Sequence, residues 1–318
     1  MKKFLIIVTV IFALPAVALI TFALTFDANR YKSVLIEKLE ESMARDVMID
    51  NISLNILRGL SLEARGLAIK DKDKTWNDFL LKAKTLNASV KIIPLLKKDI
   101  QIERLSIPEL EINTGTGPGS PVFRCALNIK ARILINDTPK DDVLKALSAK
   151  GTMKLQNAVL DKMNILKTAL DKLNMLPGVT QKLKDNLPEE YSRLLDQDYT
   201  AFKPINADFE IRDSRIFFEK LLVESDAFYL SSKGSVGLAD QNLAISSNFF
   251  IPEGLSGAFI KAVPEFKYLA NAEGLITMPL EIKGNIPNVS VTPDLNYVLQ
   301  KLIASKGQEL LNKFFKFK

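Results

Sequence analysis

Much of the chain alternates between apolar and polar positions, the pattern of β-strands with one apolar face and one wet face. In residues 86–92, 127–135 and 276–282, every second residue is Leu, Ile, Val, Met or Ala. Short breakers such as Arg58-Gly59 and Lys97-Lys98-Asp99 separate these stretches. This spacing favours antiparallel meanders. The pattern therefore predicts a mainly β protein with helices (α+β), built on a long antiparallel sheet.

A first helical pattern follows Asp27, which can cap a helix. Apolar residues then recur at helical spacing, at Tyr31, Val34, Leu35, Leu39 and Met43. Such an amphipathic helix either packs on the sheet or lies on a membrane surface, and the sequence leaves both open.

Three later segments also predict helices. Residues 160–200 form a helical insert between strands, and residues 255–269 form a helix broken at Pro264. Residues 292–318 predict a C-terminal amphipathic helix that begins with Thr292-Pro293 as N-cap and first position. The Lys- and Phe-rich end of this helix can dock at a bilayer interface or cap the open end of the sheet.

The N-terminus predicts a membrane anchor, because residues 4–26 contain no charge. As a helix, this run spans roughly 35 Å, enough to cross a hydrocarbon core. Ala16-Val17-Ala18 offers the alternative of a cleaved signal peptide, but the apolar run continues beyond it. Lys2 and Lys3 precede the run. We therefore expect a retained single-pass anchor with a cytoplasmic N-terminus and, in a bacterium, a periplasmic body.

Composition argues against most enzyme chemistry. The 318 residues include no His and a single Cys, Cys125, which is predicted to be a small buried hydrophobe. His-based catalytic pairs, His-ligated zinc, internal disulfides and Cys metal cages are therefore all excluded. Residues 254–257 (GLSG) do not have the G-x-S-x-G spacing of a serine nucleophile. We predict a non-enzymatic protein with no catalytic residue, no cofactor and no metal.

The net charge of +6 is mild, and no basic stripe is interleaved with aromatic residues. Nucleic acid is therefore not an expected partner, whereas a weak attraction to anionic lipid fits this charge. A loop rich in Gly and Pro at residues 114–121 divides the chain. The predicted segments are the anchor at 1–26, the start of the sheet at 27–113, its continuation at 122–291 with the helical insert, and the C-terminal helix at 292–318.

Several motifs resemble, in order, those of the AsmA-like family of bacterial envelope proteins. They are residues 26–32 (FDANRYK), 45–49 (RDVMI), 93–96 (IPLL), 100–113 (IQIERLSIPELEIN), 144–155 (LKALSAKGTMKL) and 278–284 (MPLEIKG). The resemblance implies an inner-membrane anchor followed by a long curved sheet that forms a groove, as in chorein-type lipid-transfer proteins. It further implies phospholipids and the inner membrane as partners and a part in outer-membrane lipid homeostasis. The alternative is a non-enzymatic scaffold or regulator of outer-membrane protein assembly, with envelope assembly proteins as partners.

An apolar sheet face must be covered, either by a second protein layer or by acyl chains. Both coverings require the same alternation, so the pattern alone does not separate a sealed core from an open groove. The resemblance favours the groove. The inward positions that we predict to contact lipid are Leu127, Ile129, Ile133, Ile245, Phe249, Met278 and Leu280.

Overall fold

The computed structural model describes residues 27–55, 61–70, 79–91, 101–114, 119–135, 147–172, 179–285 and 288–301, together with residue 304. The predicted anchor in residues 1–26 and most of the predicted C-terminal helix lie outside the described residues. Among the helices within these ranges, none is long and apolar enough to cross a membrane.

Fourteen strands form one sheet in which every pairing is antiparallel, which confirms the predicted mainly β fold. The strands are β1 (Asp46–Met48), β2 (Asn51–Asn55), β3 (Ser61–Lys70), β4 (Phe79–Val90), β5 (Gln101–Asn113), β6 (Val122–Ile135), β7 (Leu147–Asp161), β8 (Thr200–Ala201), β9 (Ile205–Arg212), β10 (Arg215–Glu224), β11 (Tyr229–Gly237), β12 (Asn242–Phe250), β13 (Thr277–Asn285) and β14 (Asn288–Pro293). The path runs from β1 through β3 and onward in chain order to β14, with β2 beside β3 and β8 beside β7. Within the described strands, the two ends of this path do not pair, so the sheet is open.

The sheet curves strongly along its path. Eight strand-to-strand steps separate β1 from β11, which would be about 38 Å on a flat sheet. However, the guanidinium of Arg45, just before β1, donates a hydrogen bond of 2.8 Å to the side-chain oxygen of Gln241, in the β11–β12 hairpin. The contact requires the first strand and this distant hairpin to approach each other.

The helices are α1 (Lys32–Met43), α2 (Ile165–Asp171), α3 (Val179–Asn186), α4 (Glu189–Asp196) and α5 (Glu253–Ala262). Three of them, α2 to α4, lie within the predicted insert, and a 3-10 helix at Pro264–Leu269 follows α5 after a break at Val263. Leu183 of α3 and Phe259 of α5 are fully buried against β11 to β13. These helices therefore form a second layer over the C-terminal part of the sheet.

At the other end of the sheet, α1 follows a short 3-10 helix whose first turn is capped by Asp27, as predicted. Ile36, Leu39 and Met43 pack on a cluster that includes Val47 and Ile69. The outer residues Tyr31, Val34 and Leu35 remain exposed. Helix α1 therefore has one face that packs on the sheet and another that stays uncovered. The first fits the predicted packing on the sheet, and the second fits the predicted position on a membrane surface.

The start of the C-terminal helix differs from the prediction. Pro293 ends β14, opposite Leu280, and a carboxylate oxygen of Asp294 accepts a 3.0 Å hydrogen bond from the Tyr297 amide. Asp294 is therefore the cap and the helical residues begin at 295. Proline is accommodated on an edge strand because its missing N–H faces no partner. Val298 packs into the helix-covered core, so this first part of the helix caps the sheet.

Candidate functional site

An apolar cavity of about 160 Å³ lies on the inner face of the sheet, across five neighbouring strands from β5 to β10. Its wall contains only apolar residues: Ile102, Leu105, Ile129, Ala131, Ile133, Ala149, Met153, Phe209, Ile211, Ile216 and Phe218. The hydrophobic cluster around it is built only from strand residues, with no described helix contributing. Among the described residues, this part of the inner face therefore has no second layer like the one that covers β11 to β13.

The hollow arises from the pairing of small residues across strands. Ala131 of β6 pairs with Gly151 of β7, and Gly151 pairs with Phe209 of β9. A methyl group on Gly151 would lie 2.3 Å from the carbonyl oxygen of Lys130 and 2.8 Å from the Ala131 side chain, so the position requires glycine. Ala131 and Ala149 are the two smallest residues of the wall, and Ala131, next to the side-chain-free Gly151, forms the floor of the cavity.

Larger side chains rise on both sides of this floor. On one side Ile129 pairs with Met153, and on the other Ile133 pairs with Ala149, which in turn pairs with Ile211. Ile129, Ile133, Met153 and Ile211 are only half-buried. An apolar face that stays partly open to water is the property expected of a site that binds an apolar ligand.

The outer face of the same strands is charged. Lys130 and Lys154 alternate with Ile129 and Met153, and Asp208 follows Ala207 on β9. All three charged residues are exposed. The sheet is therefore amphipathic through its thickness, and only its inner face suits acyl chains.

The seven predicted lipid-contact residues fall into distinct environments. Ile129 and Ile133 line the cavity, and Leu127 lies beside it against the cluster that contains Ile107 and Cys125. Ile245 is half-buried in a row with Gly234 and Ile282 and does not line the cavity.

The other three predicted residues, Phe249, Met278 and Leu280, are at most 1% exposed, beneath the helices. For these three residues the covering layer is protein. Lipid contact at Leu127, Ile129, Ile133 and Ile245 stays a prediction.

The sequence interpretation missed the residues that give the cavity its shape, Ala131, Ala149, Gly151, Phe209 and Phe218. One signal was present, because an isolated glycine inside an alternating strand marks a close approach of neighbouring backbone. Gly151 is such a residue. Phe209 lies on β9, which pairs with β7, and Phe218 lies on β10, which pairs with β9. Neither register is visible in the sequence.

Cys125 is 5% exposed, which confirms its prediction as a small buried hydrophobe. Burial raises the pKa of its thiol to about 11. At neutral pH this thiol is therefore protonated and a poor nucleophile.

Comparison with known proteins gives one match. Residues 1–119 match the family model of the AsmA family, which confirms the resemblance and makes the N-terminal part of the chain, through β5, AsmA-like. The AsmA family suggests an envelope-associated role and is not known for an enzymatic activity. No curated protein and no solved structure matches the chain.

Proposed function

We propose that the chain is an inner-membrane-anchored periplasmic protein that binds or conducts phospholipids along the inner face of its sheet, in support of outer-membrane lipid homeostasis. The observation that carries the proposal is the wholly apolar cavity on a sheet face that no described helix covers. The AsmA-like N-terminal part supports the envelope location. The charge-free run at residues 4–26 supports the anchor.

The size of the cavity fits part of an acyl chain. A dry engineered cavity of about 150 Å³ binds benzene, so the present volume of about 160 Å³ accommodates about six carbons. At about 0.8 kcal/mol for each buried methylene, this contact stabilises a bound lipid by about 5 kcal/mol. The remaining methylenes and the head group lie outside the cavity.

The cavity is smaller than the roughly 300–1,000 Å³ of pockets that enclose a drug-sized ligand. It therefore suits one section of a longer path better than a closed carrier pocket. Because its wall has no polar residue, the site binds the hydrocarbon chain and does not discriminate between lipid head groups.

The test is mass spectrometry of lipid that co-purifies with residues 27–318, since removing residues 1–26 removes lipid held around an anchor. We expect phospholipid to accompany the folded protein. A folded protein, verified by circular dichroism, that carries no lipid would contradict the proposal.

The alternative is a scaffold or regulator of outer-membrane protein assembly. It is favoured by the helix-covered core over β11 to β13, where the inner face is already sealed by protein. On this alternative no lipid co-purifies, and chemical crosslinks in the envelope join the chain to assembly proteins.

A further inference from the structure

We infer that helix α1 inserts its outer face into the interface of a phospholipid bilayer while its inner face packs on the sheet. Tyr31, Val34 and Leu35 are 60%, 53% and 42% exposed. Tyr31 is the last residue of the 3-10 helix that leads into α1, and Val34 and Leu35 follow it by three and four residues, so the three side chains lie together on one side at the start of α1. This inference rests on the membrane anchoring that forms part of the proposed function.

The exposed patch has a fixed orientation because the segment is bonded to the sheet on both sides of it. Before the helix, the side-chain oxygen of Asn29 accepts a hydrogen bond from the Ile52 amide, at 3.3 Å. Near its end, a carboxylate oxygen of Glu40 accepts one from the Val47 amide, at 3.0 Å. Rotation of α1 to bury the three side chains would break these contacts and expose its packed face.

A bilayer is within reach of the patch. The charge-free residues 4–26 end directly before Asp27, and Tyr31 follows five residues after Phe26. Five residues span at most about 18 Å even when fully extended. A chain anchored through residues 4–26 therefore holds the start of α1 close to the membrane surface.

The charges along the segment suit the same arrangement. Arg30 and Lys32 flank Tyr31, with the Lys32 amino group donating a 3.1 Å hydrogen bond to the Asp50 carbonyl oxygen, whereas all the carboxylates of α1, from Glu37 onward, follow the patch. Anionic lipid attracts the cations and repels the carboxylates, and tyrosine is enriched at membrane interfaces. Only the first turn of the helix thus enters the interface.

A protein partner fits this patch less well. A stable protein interface buries about 800 Å² and about 20–30 residues on each side, far more than three side chains provide. A bilayer requires no matching surface beyond the patch. The inferred contact would hold the first strands of the sheet at the membrane, where lipid would enter the groove.

Single-cysteine labelling of the full chain in phosphatidylcholine and phosphatidylglycerol vesicles tests the inference. A fluorophore sensitive to polarity is attached at Val34→Cys or Leu35→Cys, with Ser33→Cys and Glu41→Cys as matched controls. Ser33 and Glu41 are also exposed, on other parts of the same helix. The native Cys125 is buried, and the unsubstituted chain gives its background.

We expect labels at positions 34 and 35 to show blue-shifted emission and several-fold stronger quenching by nitroxide lipids than labels at 33 and 41. Equal, water-like emission at all four positions would overturn the inference. If lipid still co-purifies with residues 27–318 in that case, the proposed function stands without this contact. If the labels insert into the bilayer but no lipid co-purifies with residues 27–318, the membrane contact of α1 stands and the proposed lipid-binding function fails.

Discussion

Filling the cavity from its floor should abolish lipid binding without unfolding the protein. Ala131→Phe adds a phenyl ring beside Gly151, which has no side chain of its own. A ring of this size fills a cavity of about 150 Å³, close to the volume of about 160 Å³ found on the inner face. The substitution therefore occupies the space that we assign to acyl carbons.

The two expected effects have opposite signs. Loss of contact with about six methylenes weakens lipid binding by about 5 kcal/mol. This lowers the affinity for lipid by about three orders of magnitude or more. Burial of the new ring in a hollow raises the free energy of unfolding by about 2 kcal/mol when lipid is absent. A substitution that merely damages the fold would lower both quantities together.

Lipid mass spectrometry measures the first effect and urea unfolding of lipid-free protein measures the second. Ala244→Phe is the matched control, because Ala244 is exposed on the outer face of β12. It should leave lipid binding unchanged and stability within about 0.5 kcal/mol. Retained lipid in Ala131→Phe, or the loss of about 1–3 kcal/mol typical of overpacking, would refute the cavity as the binding site.

Three further predictions follow from single side chains. Ile129→Glu should abolish lipid co-purification, measured by mass spectrometry, and retain the fold, because Ile129 is half-buried. Phe249→Glu should unfold the protein, because Phe249 is fully buried. Circular dichroism checks the fold of both variants. Gln241→Ala should lower the free energy of unfolding in urea by about 1–3 kcal/mol, because it removes a bond to the partly buried Arg45; unchanged stability would show that this contact does not hold the curvature. The raised pKa of Cys125 keeps its thiol protonated in the folded state, so stability should fall as pH rises from 9 to about 11, and Cys125→Ala should remove that part of the pH dependence.

The sequence predicted which side chains face inward, but not what covers them. Ile129 and Phe249 show the same alternation, and their strands were predicted alike. The structure separates them because α2 to α5 fold back over β12 and leave β6 uncovered. The path of a helical insert over a sheet depends on tertiary contacts, which local periodicity does not contain.

The shape of the site also escaped prediction for a non-local reason. Ala131 and Gly151 meet only because β6 and β7 pair in one register, with an irregularity between Arg124 and Ala126. Each residue alone is an ordinary small residue in a strand. The start of the C-terminal helix was misplaced because Thr292-Pro293 fits a helix N-terminus as well as it fits the end of an edge strand.

Photo-crosslinking from inside the cavity tests the central claim most directly. A photoreactive amino acid at Ile133, in the full chain within its native membrane, should form adducts with phospholipid acyl chains. The same group at Ala244, on the outer face, should form none. Adducts at both positions in equal yield, or at neither, would contradict an apolar inner face that binds phospholipid.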